Sequence, residues 1–260
     1  MSSEAPRTAI DLNADVGESF GAWSIGADEE LIPLVTSVNV ACGAHAGDPV
    51  TILQTVELAA RHGATVGAHP GYPDLVGFGR RDLDLSPAEL RASLIVQVGA
   101  VQAAARVVGV PVRHVKPHGA LYNRAARDPE LAQAVASTIR EMDPTLILVG
   151  LAGSASVVAG RAIGLEVFEE AFADRRYEPD GSLRSRRFPD ALLATNEAAA
   201  QAVTIARDGR VEARDGSRLA ISADTMCVHG DSPNAVAVAR AVRDALVGAG
   251  IAVRSRPGNG

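Results

Sequence analysis

Seven short apolar runs alternate with longer amphipathic ones along this chain, and six of them end in a burst of polar side chains. Those bursts fall at residues 11–15, 39–45, 67–71, 114–118, 167–170 and 227–231, and the fifth run ends at 147–150 on glycine. Runs such as 145–149 (TLILV) are apolar without alternation, the pattern of a strand covered on both faces. Between them lie Ala-, Leu- and Val-rich stretches at about 50–62, 87–108, 129–142 and 233–248, with weaker helical patterns near 28–35, 153–163 and 196–208. Asp48-Pro49, Ser86-Pro87, Asp128-Pro129 and Ser232-Pro233 each set an N-cap before a proline at the first helical position. Ser86 and Glu89 have capping-box spacing, and Gly63, Gly109 and Gly248 are placed as C-terminal stops.

Strand and helix thus alternate through nearly the whole length, which predicts a parallel sheet with right-handed crossovers. Polar groups at nearly every strand end favour a closed barrel, because an open sheet concentrates its site at one switch point. The expected fold is therefore α/β: a TIM-like (β/α)7 barrel, one domain over 1–260 with its core at about 8–250. Residues 209–213 and 217–221 flank Arg214-Asp215-Gly216 and predict a small β-hairpin insertion. The tail from Arg254 onward is expected to be poorly ordered.

Composition narrows the partners. A net charge of −6 and an aromatic share of 3% disfavour nucleic acid, which calls for a basic patch and stacking platforms. The start at 1–6 has no basic region followed by an apolar core, and no uncharged apolar stretch of membrane-spanning length occurs. The expectation is a cytoplasmic protein without a membrane partner. Cys42 and Cys227 make neither a disulfide framework nor a zinc motif and read as small buried hydrophobes.

The polar bursts carry the candidate chemistry. Strand alternation points Asp11, Asn13 and Asp15 the same way, with Glu18 in the following loop. Carboxylates crowded in a cleft raise one another's pKa, which is how a general base near neutrality is made; Asp15 is the expected functional member and Asp11 a structural one. Of six histidines, His45, His69, His118 and His229 follow strands on four units, whereas His62 ends a helix and His114 begins a strand. Such a set suits acid–base catalysis or metal binding. Lys116 in a barrel mouth suits an anion or a developing oxyanion, and Asn123 an amide or carboxylate. Glu169, Glu170, Asp174, Arg175 and Arg176 form a charged loop in which an arginine can clamp an anion. The rim gives Asp15, His45, Lys116 and His118 as catalytic candidates. Asn13, Glu18, Asn39, His69, Asn123, Arg175, His229 and Asp231 are the candidate substrate contacts, and no metal is assigned. Neither G-x-x-x-x-G-K-[ST] nor a strand-to-helix G-x-G-x-x-G is present, and Gly77-Phe78-Gly79-Arg80 reads as a loop.

Six blocks, LNADVGESFG (12–21), VNVACGAHAGDP (38–49), VGAHPGYPDLVGFGRR (66–81), HVKPHGALYN (114–123), FADRRYEPDGSL (172–183) and DTMCVHGDSP (224–233), resemble the LamB/YcsF family in order and over about 8–250. That family is described as the A component of the bacterial ATP-dependent 5-oxoprolinase. The resemblance implies hydrolysis of 5-oxo-L-proline to L-glutamate, with ATP going to ADP and phosphate, in a complex with 5-oxoprolinase subunits B and C. ATP, with Mg as its divalent cation, is the implied co-substrate of the complex. The resemblance extends to seven-stranded barrels of the glycoside hydrolase and polysaccharide deacetylase superfamily. YdjC-type deacetylases there carry Asn-Ala-Asp-Asp, whose second Asp binds a metal; here the stretch is Asn13-Ala14-Asp15-Val16. Acid–base chemistry is therefore expected in preference to a deacetylase metal site, although His45 and His69 with Glu18 retain metal-binding donors. In that chemistry phosphorylation activates the lactam oxygen, Asp15 or a histidine activates water, and Lys116 stabilises negative charge. A metal-dependent amidohydrolase or deacetylase without ATP, and a non-catalytic protein that holds substrate for its partners, are the alternatives.

Overall fold

The computed structural model describes residues 8–232 and 234–256. Strands β1 (Ala9–Val16), β2 (Ser37–Ala41), β3 (Thr65–His69), β4 (Val112–Val115), β5 (Ile147–Leu151) and β6 (Val167–Phe172) lie side by side in parallel. After the antiparallel hairpin β7 (Arg210–Glu212) and β8 (Arg218–Ala220), strand β9 (Thr225–Val228) pairs with both β6 and β1 and closes the barrel. The expected (β/α)7 barrel and its hairpin insertion are both present.

The helices between strands start where the capping residues place them. The Asp48 carboxylate accepts from the Val50 and Thr51 amides, the Ser86–Glu89 capping box is complete, and Asp128 accepts from the Leu131 amide. They open α2 (Pro49–His62), α3 (Pro87–Val108) and α5 (Pro129–Met142). The weak patterns appear as α1 (Asp28–Leu31) with a 3-10 turn behind it, α6 (Ala155–Ala162) and α7 (Thr195–Asp208).

Four details differ from the sequence expectation. A short helix, α4 (Gly119–Ala125), follows His118 where the sequence pattern assigns no element. The last helix, α8 (Ala235–Gly248), starts behind Asn234; Pro233 of the expected start lies outside the described residues. Gly248 is its final helical residue and not a stop beyond it. The tail is held through Arg256: β10 (Ala252–Val253) adds to β1, the Arg254 amide donates to the Ile10 carbonyl, and Arg256 pairs with Asp224. Residues 257–260 of the expected loose tail lie outside the described residues.

The core has an uncommon distribution. Ile10, Leu12, Ala14 and Val16 of β1 join the large apolar layer between barrel and helices. The alternate residues Asp11, Asn13 and Asp15 are also buried, and they form polar networks with inward-facing residues of other strands. Barrel interiors are ordinarily filled by branched aliphatics; here Ile147, Val149 and Phe168 form only a small separate cluster. Register lines up Asp15 with Asn39, Asn39 with Gly67, and Gly67 with His114. A Cβ at Gly67 would lie 2.1 Å from His114 Nε2, so glycine there makes room for the ring. His114 Nε2 then donates to Asn39 Oδ1 at 2.8 Å. Among the described residues no helix is long and apolar enough to cross a membrane.

Candidate active site

Lys116 leaves the end of β4 and turns its ammonium into the barrel. Its Nζ lies 2.8 Å from Asp15 Oδ1, 2.9 Å from Glu170 Oε1 and 3.1 Å from Cys227 Sγ. Asn39 holds Asp15 from below, its Nδ2 donating to Asp15 Oδ1 at 2.8 Å and to Asn13 Oδ1 at 2.7 Å. Asn13 in turn donates to Glu170 Oε1 at 3.0 Å, and the Tyr122 hydroxyl donates to Glu170 Oε2 at 2.7 Å. One buried ammonium thus bridges two buried carboxylates, each with further donors, which is the condition for tolerating buried charge.

These contacts set the protonation states. Burial works against an ionised Asp15, but His69 and Lys116 overrule it and hold the carboxyl well below the usual range. Burial likewise works against charged Lys116, and Asp15, Cys227 and Glu170 overrule it, so the ammonium is held well above its ordinary value. The carboxyl pushed up is Glu18, by burial and then by the charges of Asp15 and Asp231. The expectation of Asp15 as a base raised toward neutrality is therefore corrected: Lys116 and His69 make it the acidic partner and Glu18 the reluctant one.

The histidines gather beside Asp15. His69 Nε2 lies 3.3 Å from Asp15 Oδ2 and 2.9 Å from His118 Nδ1. His45 stacks on His118 with ring centroids 3.8 Å apart, and Glu18 Oε1 is 3.9 Å from His118 Nδ1. Burial first, then neighbouring histidines, push His45 and His118 well below the ordinary histidine range. His229 comes within 4.8 Å of Asp15 and Cys227 as well, and its Nδ1 lies 3.0 Å from Asp174; burial lowers its pKa against the pull of Asp174.

Above this floor opens a cavity of about 660 Å³ lined by Asp15, Glu18, His69, Lys116 and His118, with Phe172, Ser154 and His229 on its walls. Arg80, Arg127, Arg175, Arg186 and Arg187 also line it. Arg80 and Arg186 both pair with Asp231, whose carboxyl they hold at about 2 against the effect of burial. Arg175 is buried with no partner on Nε, and burial followed by Arg186 pulls its pKa down to about 10. Asn123 reaches the mouth from α4, its amide donating to the Gly119 carbonyl.

The sequence-derived set therefore divides in three. Asp15, Glu18, His69, Lys116, His118, Asn123, Arg175, His229 and Asp231 reach the cavity. Asn13 and Asn39 lie beneath it and position the charged groups. His45 is buried behind His118 and lines no part of it. The sequence reads Glu170 as part of a charged loop, whereas it belongs to β6 and points inward; its neighbour Glu169 points outward to Arg161. Tyr122, Arg80 and Cys227 lie inside the six sequence blocks, but nothing in their spacing marks them as site residues, and Arg186 lies outside every block.

The residues gathered on this floor come from every part of the chain, and residues 10–259 match the LamB/YcsF family throughout. The chain belongs to the LamB/YcsF family. A relative from Chloroflexus aggregans, named as the A component of 5-oxoprolinase, is 56% identical over 95% of this chain and 98% of its own length. A relative of the same name from Thermus thermophilus is 51% identical over 95% and 99%. Among solved structures, the lactam utilization protein from Thermus thermophilus superposes with a TM-score of 0.90 at 50% identity, covering 95% of this chain and 100% of that one. A putative cellobiose-phosphate cleavage protein of Enterococcus faecalis, at 13% identity and TM-score 0.57 over 96% and 97%, shares the fold alone.

Proposed function

We propose that this LamB/YcsF chain is the A component of an ATP-dependent 5-oxoprolinase, which opens 5-oxo-L-proline to L-glutamate as ATP goes to ADP and phosphate. The observation that carries the chemistry is the ionised Asp15, clamped between Lys116 and His69 on the floor of a cavity rimmed by arginine. The near-full-length relatives at 51% and 56% identity support the substrate class.

A carboxylate held this acidic is a weak base, so water activated by it needs an already activated centre. Phosphorylation of the lactam oxygen supplies one. Water then adds to the lactam carbon and gives its proton to Asp15, while Lys116 meets the developing negative charge. The ring C–N bond breaks as the nitrogen is protonated, and a second water releases phosphate from the resulting acyl phosphate. Arg175 and the rim arginines suit the substrate carboxylate and the phosphoryl group. Asn123, His229 and Asp231 complete the walls. The reading places ATP, with Mg, and the partner subunits B and C at the complex, because this sequence has no phosphate-cradle motif.

The test is reconstitution with both partner subunits, 5-oxoproline and ATP, reading glutamate and ADP together. Asp15→Asn is expected to abolish coupled glutamate formation. Glutamate formed by this chain alone without ATP, or an Asp15→Asn complex of undiminished rate, overturns the reading.

A further inference from the structure

His69 and His118 are set against each other in a way their own protons do not resolve. His69 Nδ1 is 2.7 Å from the Lys116 carbonyl oxygen, and His118 Nε2 is 2.9 Å from the Phe78 carbonyl oxygen. A carbonyl only accepts, so in both rings that nitrogen carries the hydrogen. With both rings neutral, the remaining pair, His69 Nε2 and His118 Nδ1, face each other lone pair to lone pair across 2.9 Å. The Asp15 carboxylate lies 3.3 Å from His69 Nε2 and adds negative charge to the same spot, and the Glu18 carboxyl lies 3.9 Å from His118 Nδ1. Beside them His45 is 0% exposed, and neither of its ring nitrogens has a hydrogen-bond partner. Buried polar groups left this way are costly. One ligand atom each from Glu18, His45, His69 and His118 lies within 4.8 Å of all the others.

We propose that Glu18, His45, His69 and His118 bind one divalent transition-metal cation of the zinc class. A positive centre among them removes the facing-lone-pair conflict and gives His45 a partner in the same stroke. A proton on His69 would remove only the first and leave His45 unpaired. Three imidazoles with one carboxylate match the preference of zinc and its neighbours, whereas magnesium and calcium take oxygen donors. The carbonyls of Lys116 and Phe78 are the outer partners that fix the tautomers a metal requires. The loop at Gly79 closes the site from behind: with φ at +64°, a Cβ there would lie 2.8 Å from His45 Cβ and 2.9 Å from His118 Cδ2. His45 and His118 are stacked with planes 3° apart, so the His45 ring turns out of the stack to share an ion with His118. The proposal goes beyond the lactam-opening reading and stands on side-chain geometry without it.

The experiment uses the full chain, stripped by chelator, titrated with Zn²⁺ and separately with Co²⁺. One equivalent of zinc is expected, with a visible Co²⁺ spectrum of a four-coordinate nitrogen–oxygen site. His45→Ala and His69→Ala should each weaken zinc binding by more than about 100-fold, and His62→Ala, on the exposed end of α2, should leave it unchanged. Absence of stoichiometric zinc in the wild type, or equal affinity in folded His45→Ala, overturns the site. Where the variants fail to fold, the wild-type Co²⁺ spectrum decides: an octahedral, water-like spectrum overturns it. 5-Oxoproline binding is followed in parallel. Zinc bound with no lactam affinity sinks the active-site reading and leaves the metal site standing; lactam bound with no zinc does the reverse.

Discussion

β1 carries two aspartates on one face, four residues apart, and the two ends of the barrel make opposite things of them. At the lower end, Asp11 accepts from the hydroxyls of Thr36, Ser37 and Thr225, all neutral donors. Burial raises its pKa, and these hydrogen bonds only moderate the rise. At the upper end, Asp15 meets an ammonium and a histidine, and its pKa falls well below the ordinary range. Asp11, Ser37 and Thr225 also line a second cavity of about 430 Å³, together with Ile147, Val149, Phe168, Arg113 and Arg256. The upper network has charges, facing lone pairs and an arginine rim. Burial depth is nearly equal at 4% and 7% exposure, so the neighbours and not the depth set the opposite pKa shifts of the two aspartates.

The largest effect that would break this contrast is Lys116→Met. It leaves Asp15 and Glu170 buried without their cation, for an expected loss of about 3–5 kcal/mol in urea unfolding and a fall in coupled glutamate formation of at least about 100-fold. A stable, active Lys116→Met protein would erase the distinction between the two ends. Gly67→Ala comes next, since its Cβ drives into the His114 ring; overpacking of this kind costs about 1–3 kcal/mol, read as a lowered unfolding midpoint.

The third prediction concerns acid. Burial, then Lys116, lowers the His114 pKa from 6.5 to about 3. The unfolded chain therefore takes up this proton first as pH falls, and stability is fully present above 6.5 and lost progressively down to about 3. This one group contributes a slope approaching about 1.4 kcal/mol per pH unit within that window. In His114→Gln, which keeps a donor for Asn39, denaturation curves between about pH 7 and 4 should show a flatter decline than wild type. Smallest is Asp11→Asn, which keeps an acceptor in a network of neutral partners. A loss of about 1 kcal/mol is expected, with glutamate formation within about twofold of wild type; a large activity loss would move Asp11 to the chemical end.

The barrel was legible because its polar inner face and apolar outer face alternate along β1, and because caps such as Asp48, Ser86 and Asp128 mark helix starts. α4 was not, since seven residues opening on Gly119 give too little periodicity. The positions of Asp15, Lys116, His69 and His118 followed from strand ends. Their electrostatics did not: Lys116 is 101 residues from Asp15 in sequence, and only closure brings its charge there. Glu170 was hidden by Glu169, because two adjacent acids give no sign of which one faces inward. His45 looked like its fellow rim histidines, and only the loop at Gly79 reveals that it sits behind them.

The pairing that closes the barrel also has a cost in time during synthesis. β1 leaves the ribosome early, yet its partner β9 lies at the far end of the chain, with Asn13 and Thr225 joined across 212 residues. At ordinary translation speeds β1 waits roughly 10–40 s for that partner. Throughout the wait Asp11, Asn13 and Asp15 lack the β9 side of their surroundings, and β1 has one open edge. A product cut short before β9 therefore lacks the closing strand and Cys227 beside Lys116, so the polar floor assembles only once residues 225–228 have been made.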